Sequence, residues 1–366
     1  MRKHVVLLIL IFFCGFLVNL TACRETNTQL KQKTSQTDEF LRGTYSEQRI
    51  DSVKIMQMDQ AIEQSDFPNI HSVLIYKDQK LVHEKYFKGE DEIWGDPQGI
   101  ISHAAEDLHD VRSISKSVVS DCIGIAVQRG LIDSVGQNVF DFFPEYIQYK
   151  TGLKENLTLE HLLNMSSGLK WNEDVPYNDP ENSEIQMTSS PDPIAFILSR
   201  PMEHPPGTVW NYNGGTTQLL ASIIEKLSGK DVHQFAKEYL FKPLEIKDSE
   251  WTQFPGLELP AAASGLRLRS RDLLKFGMLY ANGGKWEGKR VLTESWVKAS
   301  TKSHIRFGRN NQVGYGYQFW ILSAHTLIEG YTHEIIAAVG NGDQRIYWDP
   351  HFDLIVVTTA GNYNKW

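Results

Sequence analysis

Cysteine is scarce in this 366-residue chain, which carries only Cys14, Cys23 and Cys122. The first two belong to an N-terminal apolar run and its end, so the body keeps one thiol and no internal disulfide can form there. The fold must be held by its core. Basic character is also in short supply. Lys and Arg number 37 against 45 Asp and Glu, a formal charge of −8, with the two signs interspersed. No basic stripe is available to follow a phosphate backbone, so nucleic acid is not an expected partner. The 12 histidines are scattered, with no His-Glu-x-x-His and no paired cysteines, so no local metal signature exists and neither metal nor cofactor is expected. Gly340-Asn-Gly342 runs into Asp343 and a strand rather than a helix, so it is not a phosphate cradle. There is no Gly-x-Ser-x-Gly, which argues against an α/β-hydrolase nucleophile. No internal repeat is visible, and no low-complexity tract follows Ser46.

Aromatic residues, by contrast, are plentiful at 11%, with nine Trp, enough to build a substantial core. At the N-terminus, Arg2 and Lys3 precede the apolar stretch Val5 to Leu20, the pattern of an export signal. Leu20-Thr-Ala-Cys23 resembles the bacterial lipobox, in which small residues precede a cysteine that receives lipid. The expectation is a signal peptide over 1–22, lipidation of Cys23, and a polar tether over 23–48 that cannot bury enough apolar area to order itself. The protein would then sit in the bacterial cell envelope, membrane-anchored, facing the periplasm or the cell surface.

Past the tether, the pattern predicts a short helix over Val53–Ile62 and a β-hairpin from Ser72–Tyr76 and Leu81–Phe87 around a four-residue polar turn. Helices are predicted over Ser113–Arg129, Asn156–Met165 capped by Thr158, Gln218–Leu227, Val232–Leu240 and Ser270–Asn282 capped by Ser270. Strands are predicted at Gly316–Leu322, Ile335–Val339, Arg345–Trp348 and Leu354–Thr359, with a turn at Asp349-Pro-His-Phe352. Strands, then helices, then strands indicate an α+β fold or two lobes.

The chemistry centres on Ser-x-x-Lys, which puts the two side chains on one helical face. A desolvated lysine there can take the serine proton. The motif occurs at Ser113–Lys116, Ser167–Lys170 and Ser295–Lys298. Ser167 reads as loop, and Ser295 as part of an amphipathic surface helix. Ser113 alone opens a helix anchored in a core, where free backbone N–H groups favour developing negative charge. On spacing alone, the favoured reading is Ser113 as a helix cap and Lys116 as a surface lysine.

Arg112-Ser-Ile-Ser-Lys-Ser-Val118 resembles the nucleophile segment of class C β-lactamase-related serine hydrolases, a group that includes carboxylesterases, D-aminopeptidases and 6-aminohexanoate-dimer hydrolases. Leu159–Leu169, Pro206–Tyr212 with Gln218-Leu-Leu220, Ala263–Leu273, Gly314–Gln318 and Gly340–Gln344 resemble further family segments, in order, over roughly 65–360. The resemblance implies a β-lactamase/transpeptidase-like fold. Its antiparallel sheet, flanked by helices, would form an α/β lobe over about 49–112 and 265–366. A helical lobe would cover about 113–264, with Ser113 in the crevice between. It also implies Ser113 as nucleophile, Lys116 as its partner base and Tyr212 as proton relay. Tyr212 would be brought toward neutral pH by the opposite charge of Lys116, and either residue could be the primary base. The oxyanion donors implied are the N–H of Ser113 and one near Gln344. Gly214 stands where the family's Tyr-x-Asn has its Asn, and Asn341-Gly342-Asp343 stands where a cationic third motif belongs. These two departures resemble the esterase and 6-aminohexanoate-dimer hydrolase branch. The expected substrate-binding set is Gly214, Asn341, Gly342, Asp343 and Gln344, and Trp171, Tyr177, Tyr315 and Trp320 are candidates for the pocket wall. Hydrolysis of a small-molecule ester or amide is the leading expectation. A β-lactamase or D-amino-acid peptidase is the alternative, and an inactive surface binding protein is a third reading.

Overall fold

The computed structural model describes residues 39–326 and 330–365. The expected leader, Cys23 and most of the expected tether lie outside them. Helix α1 (Ser52–Glu63) is followed by strands β1 (Ile70–Lys77), β2 (Lys80–Tyr86), β3 (Lys88–Ile93), β4 (Asp96–Ser102) and β5 (Leu108–Asp110). Helix α2 (Ile114–Gln128) leaves β5 directly. Helices α3 (Leu159–Leu163), α4 (Ser183–Thr188), α5 (Pro193–Ser199), α6 (Gly214–Ser228) and α7 (Val232–Ala236) make up the middle of the chain. Then come β6 (Glu250–Trp251), β7 (Leu266–Arg269), α8 (Ser270–Ala281), β8 (Lys285–Trp286), β9 (Lys289–Arg290) and α9 (Glu294–Ser300). Strands β10 (Ile305–Phe307), β11 (Val313–Tyr315), β12 (Trp320–Ser323), β13 (Glu334–Gly340), β14 (Gln344–Asp349) and β15 (Leu354–Ala360) close the chain.

Eight strands form one antiparallel sheet in the order β10-β11-β12-β13-β14-β15-β1-β2. The N-terminal hairpin therefore pairs with the last strand, β1 against β15. Strand alternation explains how both faces are buried. Val73 and Ile75 of β1 and Val356 of β15 pack with Ile55, Met58 and Ile62 of α1. Their neighbours Leu74, Ile355 and Val357 point the other way, into a larger cluster. That cluster also takes in Val118 and Ile123 of α2, Leu273 of α8 and Leu220 of α6. One apolar core thus joins the sheet to the helical middle, and α2 runs through it.

Three local expectations change in detail. The first hairpin closes through two residues, Asp78 and Gln79, both at positive φ (48° and 62°), the backbone that matches strand twist in tight hairpins. Ser270 does not cap α8. It starts the helix after Arg269, and its hydroxyl instead bonds Ser72 Oγ at 2.6 Å beneath the sheet. Finally, the end of the expected tether is packed. Phe40 is buried in the large core, and residues 41–43 run along the edge strand β2, with Gly43 N bonding Leu81 O at 3.1 Å and Leu81 N bonding Leu41 O at 2.8 Å. That contact covers a sheet edge that would otherwise be open.

Candidate active site

Val111 and Arg112 turn the chain from β5 into α2. Arg112 sits at φ +48°, a left-handed conformation that costs a non-glycine residue roughly 1–2 kcal/mol. It is held there from its far end. The guanidinium pairs with Glu92 and with Asp110 and lies over the Tyr363 ring, 4.7 Å from its centroid. The turn delivers Ser113 to the helix start without a capping hydrogen bond from its side chain. The cap reading of Ser113 is therefore excluded, and its hydroxyl is left for other partners.

Those partners are the two the resemblance implies. Lys116 is 1% exposed. Its Nζ lies 3.1 Å from Ser113 Oγ and donates to the Ala263 carbonyl at 2.9 Å. It also sits 4.8 Å from the centroid of the Tyr212 ring, and the Tyr212 hydroxyl hydrogen-bonds Ser113. Tyr212 is positioned by its neighbours: Asn211 N bonds Met165 O at 2.8 Å, and Asn213 accepts from Thr216 N at 3.1 Å to cap α6. One expectation is overturned. Tyr212 is not brought down toward neutral pH. Burial, and then the negative charge of the neighbouring Glu173–Glu184 pair, push its phenol well above 10, so it is a neutral hydroxyl near pH 7.

The charge comes from a pair of acids that sequence reasoning missed. Glu173 and Glu184 meet beside the triad and hydrogen-bond each other. Glu173 Oε2 accepts from Trp171 Nε1 at 2.8 Å and from Gly214 N at 2.7 Å, and Glu184 Oε1 accepts from Ser264 Oγ at 3.0 Å. The remaining oxygens, Glu173 Oε1 and Glu184 Oε2, have no other partner, as expected if the pair shares a proton. Two buried carboxyls in contact cannot both ionise cheaply. Burial and the Glu184 charge hold Glu173 well above the usual range, while its hydrogen bond from Glu173 and the charge of Lys116 help keep Glu184 ionised.

This pair also explains the missing asparagine. A Cβ at Gly214 would stand 2.7 Å from Glu184 Oε2 and 3.1 Å from Glu173 Oε1. The acids occupy the space an asparagine would need. Gly214 therefore contributes a backbone N–H rather than a substrate-binding side chain. The sequence signal was available in principle: two adjacent glycines, Gly214 and Gly215, open a buried helix, where only close approach of other groups justifies them.

The triad opens into a cleft of about 460 Å³. Its lining includes Ser113, Glu173, Asp174, Tyr177, Trp210, Tyr212, Phe307, Trp320, Val339 and the turn Gly340–Asp343, with Arg345 and Lys365. Of the expected set, Asn341, Gly342 and Asp343 are in the wall. Gln344 is not. It is fully buried, and its side-chain amide serves the Ala360 and Gly342 carbonyls. Tyr177 and Trp320 line the cleft as expected, and Trp171 and Tyr315 do not. Trp171 instead holds Glu173, and Tyr315 backs Trp210 edge-on at 5.8 Å. Trp210 stacks on Phe307 at 3.5 Å between nearly parallel planes, giving the cleft an apolar wall. Gly340 admits the turn that carries Ser113, because a Cβ there would stand 2.2 Å from Val111 O.

The shared proton has a consequence for stability. The folded state keeps a proton on Glu173 that the unfolded chain releases near pH 4.5. Stability should therefore fall as pH rises from that value through the raised folded one, by up to about 1.4 kcal/mol per pH unit. Glu173→Gln cannot lose a proton and still offers Glu184 a donor. Urea midpoints between pH 5 and 8 should fall less steeply for this variant than for the parent, and equal slopes would contradict the shared proton.

Comparison with known proteins agrees with this geometry. The Beta-lactamase family model matches residues 58–360. The 6-aminohexanoate-dimer hydrolase of Paenarthrobacter ureafaciens is 23% identical over 274 residues, covering 69% of this chain, and the chain spans 66% of that enzyme's length. Among solved structures, a penicillin-binding protein homologue from Caulobacter crescentus superposes with a TM-score of 0.64 at 17% identity, over 85% of this chain and 92% of its own. A family VIII carboxylesterase gives 0.62 at 16% identity, over 84% and 91%. The chain belongs to the Beta-lactamase family, serine hydrolases with the penicillin-recognising fold.

Proposed function

We propose that this protein cleaves a small ester or amide through an acyl-enzyme on Ser113. The observation that carries this reading is the contact of Ser113 Oγ with both Lys116 Nζ, at 3.1 Å, and the Tyr212 hydroxyl, at the floor of an aromatic cleft. Lys116, in its neutral form, takes the Ser113 proton as Oγ adds to the substrate carbonyl. The Ser113 N–H, at the start of α2, is one donor to the resulting oxyanion, a contact typically worth about 3–4 kcal/mol. Tyr212, a neutral phenol, gives its proton to the leaving group as the tetrahedral adduct collapses, and recovers one from Lys116. Water then attacks the acyl carbonyl, delivers its proton back through the same pair, and frees Ser113.

The cleft favours esters and amides without a free carboxylate. Two cations line it, and both are engaged. Arg345 bonds Asp343 at 2.9 Å and the Gln344 carbonyl at 2.8 Å, and Lys365 pairs with Glu90 at 3.6 Å. A β-lactam or peptide carboxylate would have to displace one of these contacts. The apolar wall of Trp210, Phe307 and Trp320 suits an aliphatic or aromatic acyl group.

The full chain in detergent should hydrolyse a short-chain p-nitrophenyl ester, and Ser113→Ala should reduce this to background. Lys116→Ala and Tyr212→Phe should each lower kcat by about 10²–10⁴-fold. Turnover of a chromogenic cephalosporin at a comparable kcat/KM would favour the β-lactamase reading. An unaltered Ser113→Ala rate would remove Ser113 from the mechanism. Failure of the parent to turn over esters or to react with a fluorophosphonate would favour a binding protein.

We also propose export and lipidation at Cys23. The support is Leu20-Thr-Ala-Cys23 behind Arg2, Lys3 and the apolar run. No helix among the described residues is long and apolar enough to cross a membrane. Metabolic labelling with a fatty acid in a bacterial host should mark the parent and not Cys23→Ala; an unlabelled parent would contradict the proposal.

A further inference from the structure

A second cluster, none of whose residues lines the cleft, is not used by the proposed reaction. His71 on β1, Asp91 on β3, His103 after β4 and His109 on β5 come together from four separate places in the chain. One potential ligand atom from each lies within 4.8 Å of all the others. All four residues are buried, His71 and His109 completely. The local spacing that predicted no metal could not reveal a site assembled this way.

We propose that these four residues bind a divalent cation of the zinc type, as a closed structural site. The first reason is the orphaned nitrogens. His71 Nδ1 and both ring nitrogens of His103 and of His109 are buried without a hydrogen-bond partner. Buried polar atoms are normally satisfied, and a shared ion would supply the partner for one nitrogen of each ring. The second reason is the chemistry of the set. Three imidazoles and one carboxylate, closed off from solvent, match the ligand type and number of a tetrahedral zinc site. Metal–ligand distances of about 2.0–2.2 Å require the donor atoms to close to roughly 3.4 Å of one another, a contraction within reach of side-chain rotation.

The third reason is that the surrounding contacts already orient the ligands. His71 Nε2 bonds the Glu90 carbonyl at 2.8 Å. This places its proton on Nε2 and leaves the Nδ1 lone pair facing the cluster, as expected for a metal-bound histidine. Asp91 Oδ1 accepts from Glu92 N at 2.9 Å and from the Tyr363 hydroxyl at 3.3 Å. Gly89 leaves room for the first ring, since a Cβ there would stand 2.8 Å from His71 Cδ2. The remaining charged neighbours are accounted for. Arg267 is neutralised by Asp110 at 2.9 Å and by Glu250, and Asp107 lies 3.8 Å from His103 at the exposed rim. Such an ion would tie β1 and β3 to β5, the strand that ends at Asp110, just before Arg112 and Ser113.

The full chain, purified without a histidine tag and stripped with a chelator, should take up about one Co²⁺ per molecule and show the visible absorption of tetrahedral Co²⁺. Zn²⁺ should displace the colour and raise Tm. His103→Gln, in the loop after β4, should fold normally by circular dichroism yet lose the tetrahedral spectrum, whereas Ser113→Ala should keep it. No tetrahedral absorption in the parent at excess Co²⁺, or a spectrum that survives both His103→Gln and His109→Gln, would overturn the proposal. Ester turnover is not a readout here, so failure of the hydrolase reading would leave this result standing.

Discussion

Lys116 carries its amine to 1% exposure, and much of the surrounding structure serves to make that tolerable. Burying an amine is expensive unless the new site supplies hydrogen-bond partners. The Ala263 carbonyl and Ser113 Oγ supply them, with the Glu173–Glu184 pair close by. The Tyr212 ring closes the remaining face. Each group comes from a different element: the loop before β7, the start of α2, the segment after α3, α4, and the residue before the cap of α6. The helical middle must therefore dock on the sheet before the lysine can be accommodated, which links assembly of the site to assembly of the core.

The acid pair also explains the departure at Gly214. An asparagine there and two carboxyls beside it cannot share the same volume. The exchange replaces a neutral amide with a proton-sharing pair carrying about one negative charge beside the nucleophile. Tyr212 is affected directly, because burial and then the negative charge of the pair hold its phenol neutral. In the proposed reaction this assigns proton acceptance at Ser113 to the lysine and donation to the leaving group to the tyrosine.

Most of the fold was legible because it rests on local pattern. The α2 helix, the first hairpin and the last three strands show clean apolar periodicity, and the structure places them within a residue or two of expectation. Ser113, Lys116 and Tyr212 were legible through a motif supported by several ordered matches. What escaped was non-local. Glu173 and Glu184 are ordinary acids in a polar stretch, and only the fold brings them together. Gln344 lies next to a turn that lines the cleft, but strand alternation points it inward, where it serves the Ala360 carbonyl. Strands β3 and β4 lack an apolar face, with β4 almost wholly exposed, so alternation had nothing to mark them. The four residues of the histidine cluster share no spacing at all.

Mass spectrometry of the parent after reaction with an alkyl phosphonate would test the covalent role of Ser113 most directly. A single adduct on the peptide carrying Ser113, formed more slowly in Lys116→Ala and absent from Ser113→Ala, is the expected result. An adduct on any other residue, or full labelling of Ser113→Ala, would contradict it.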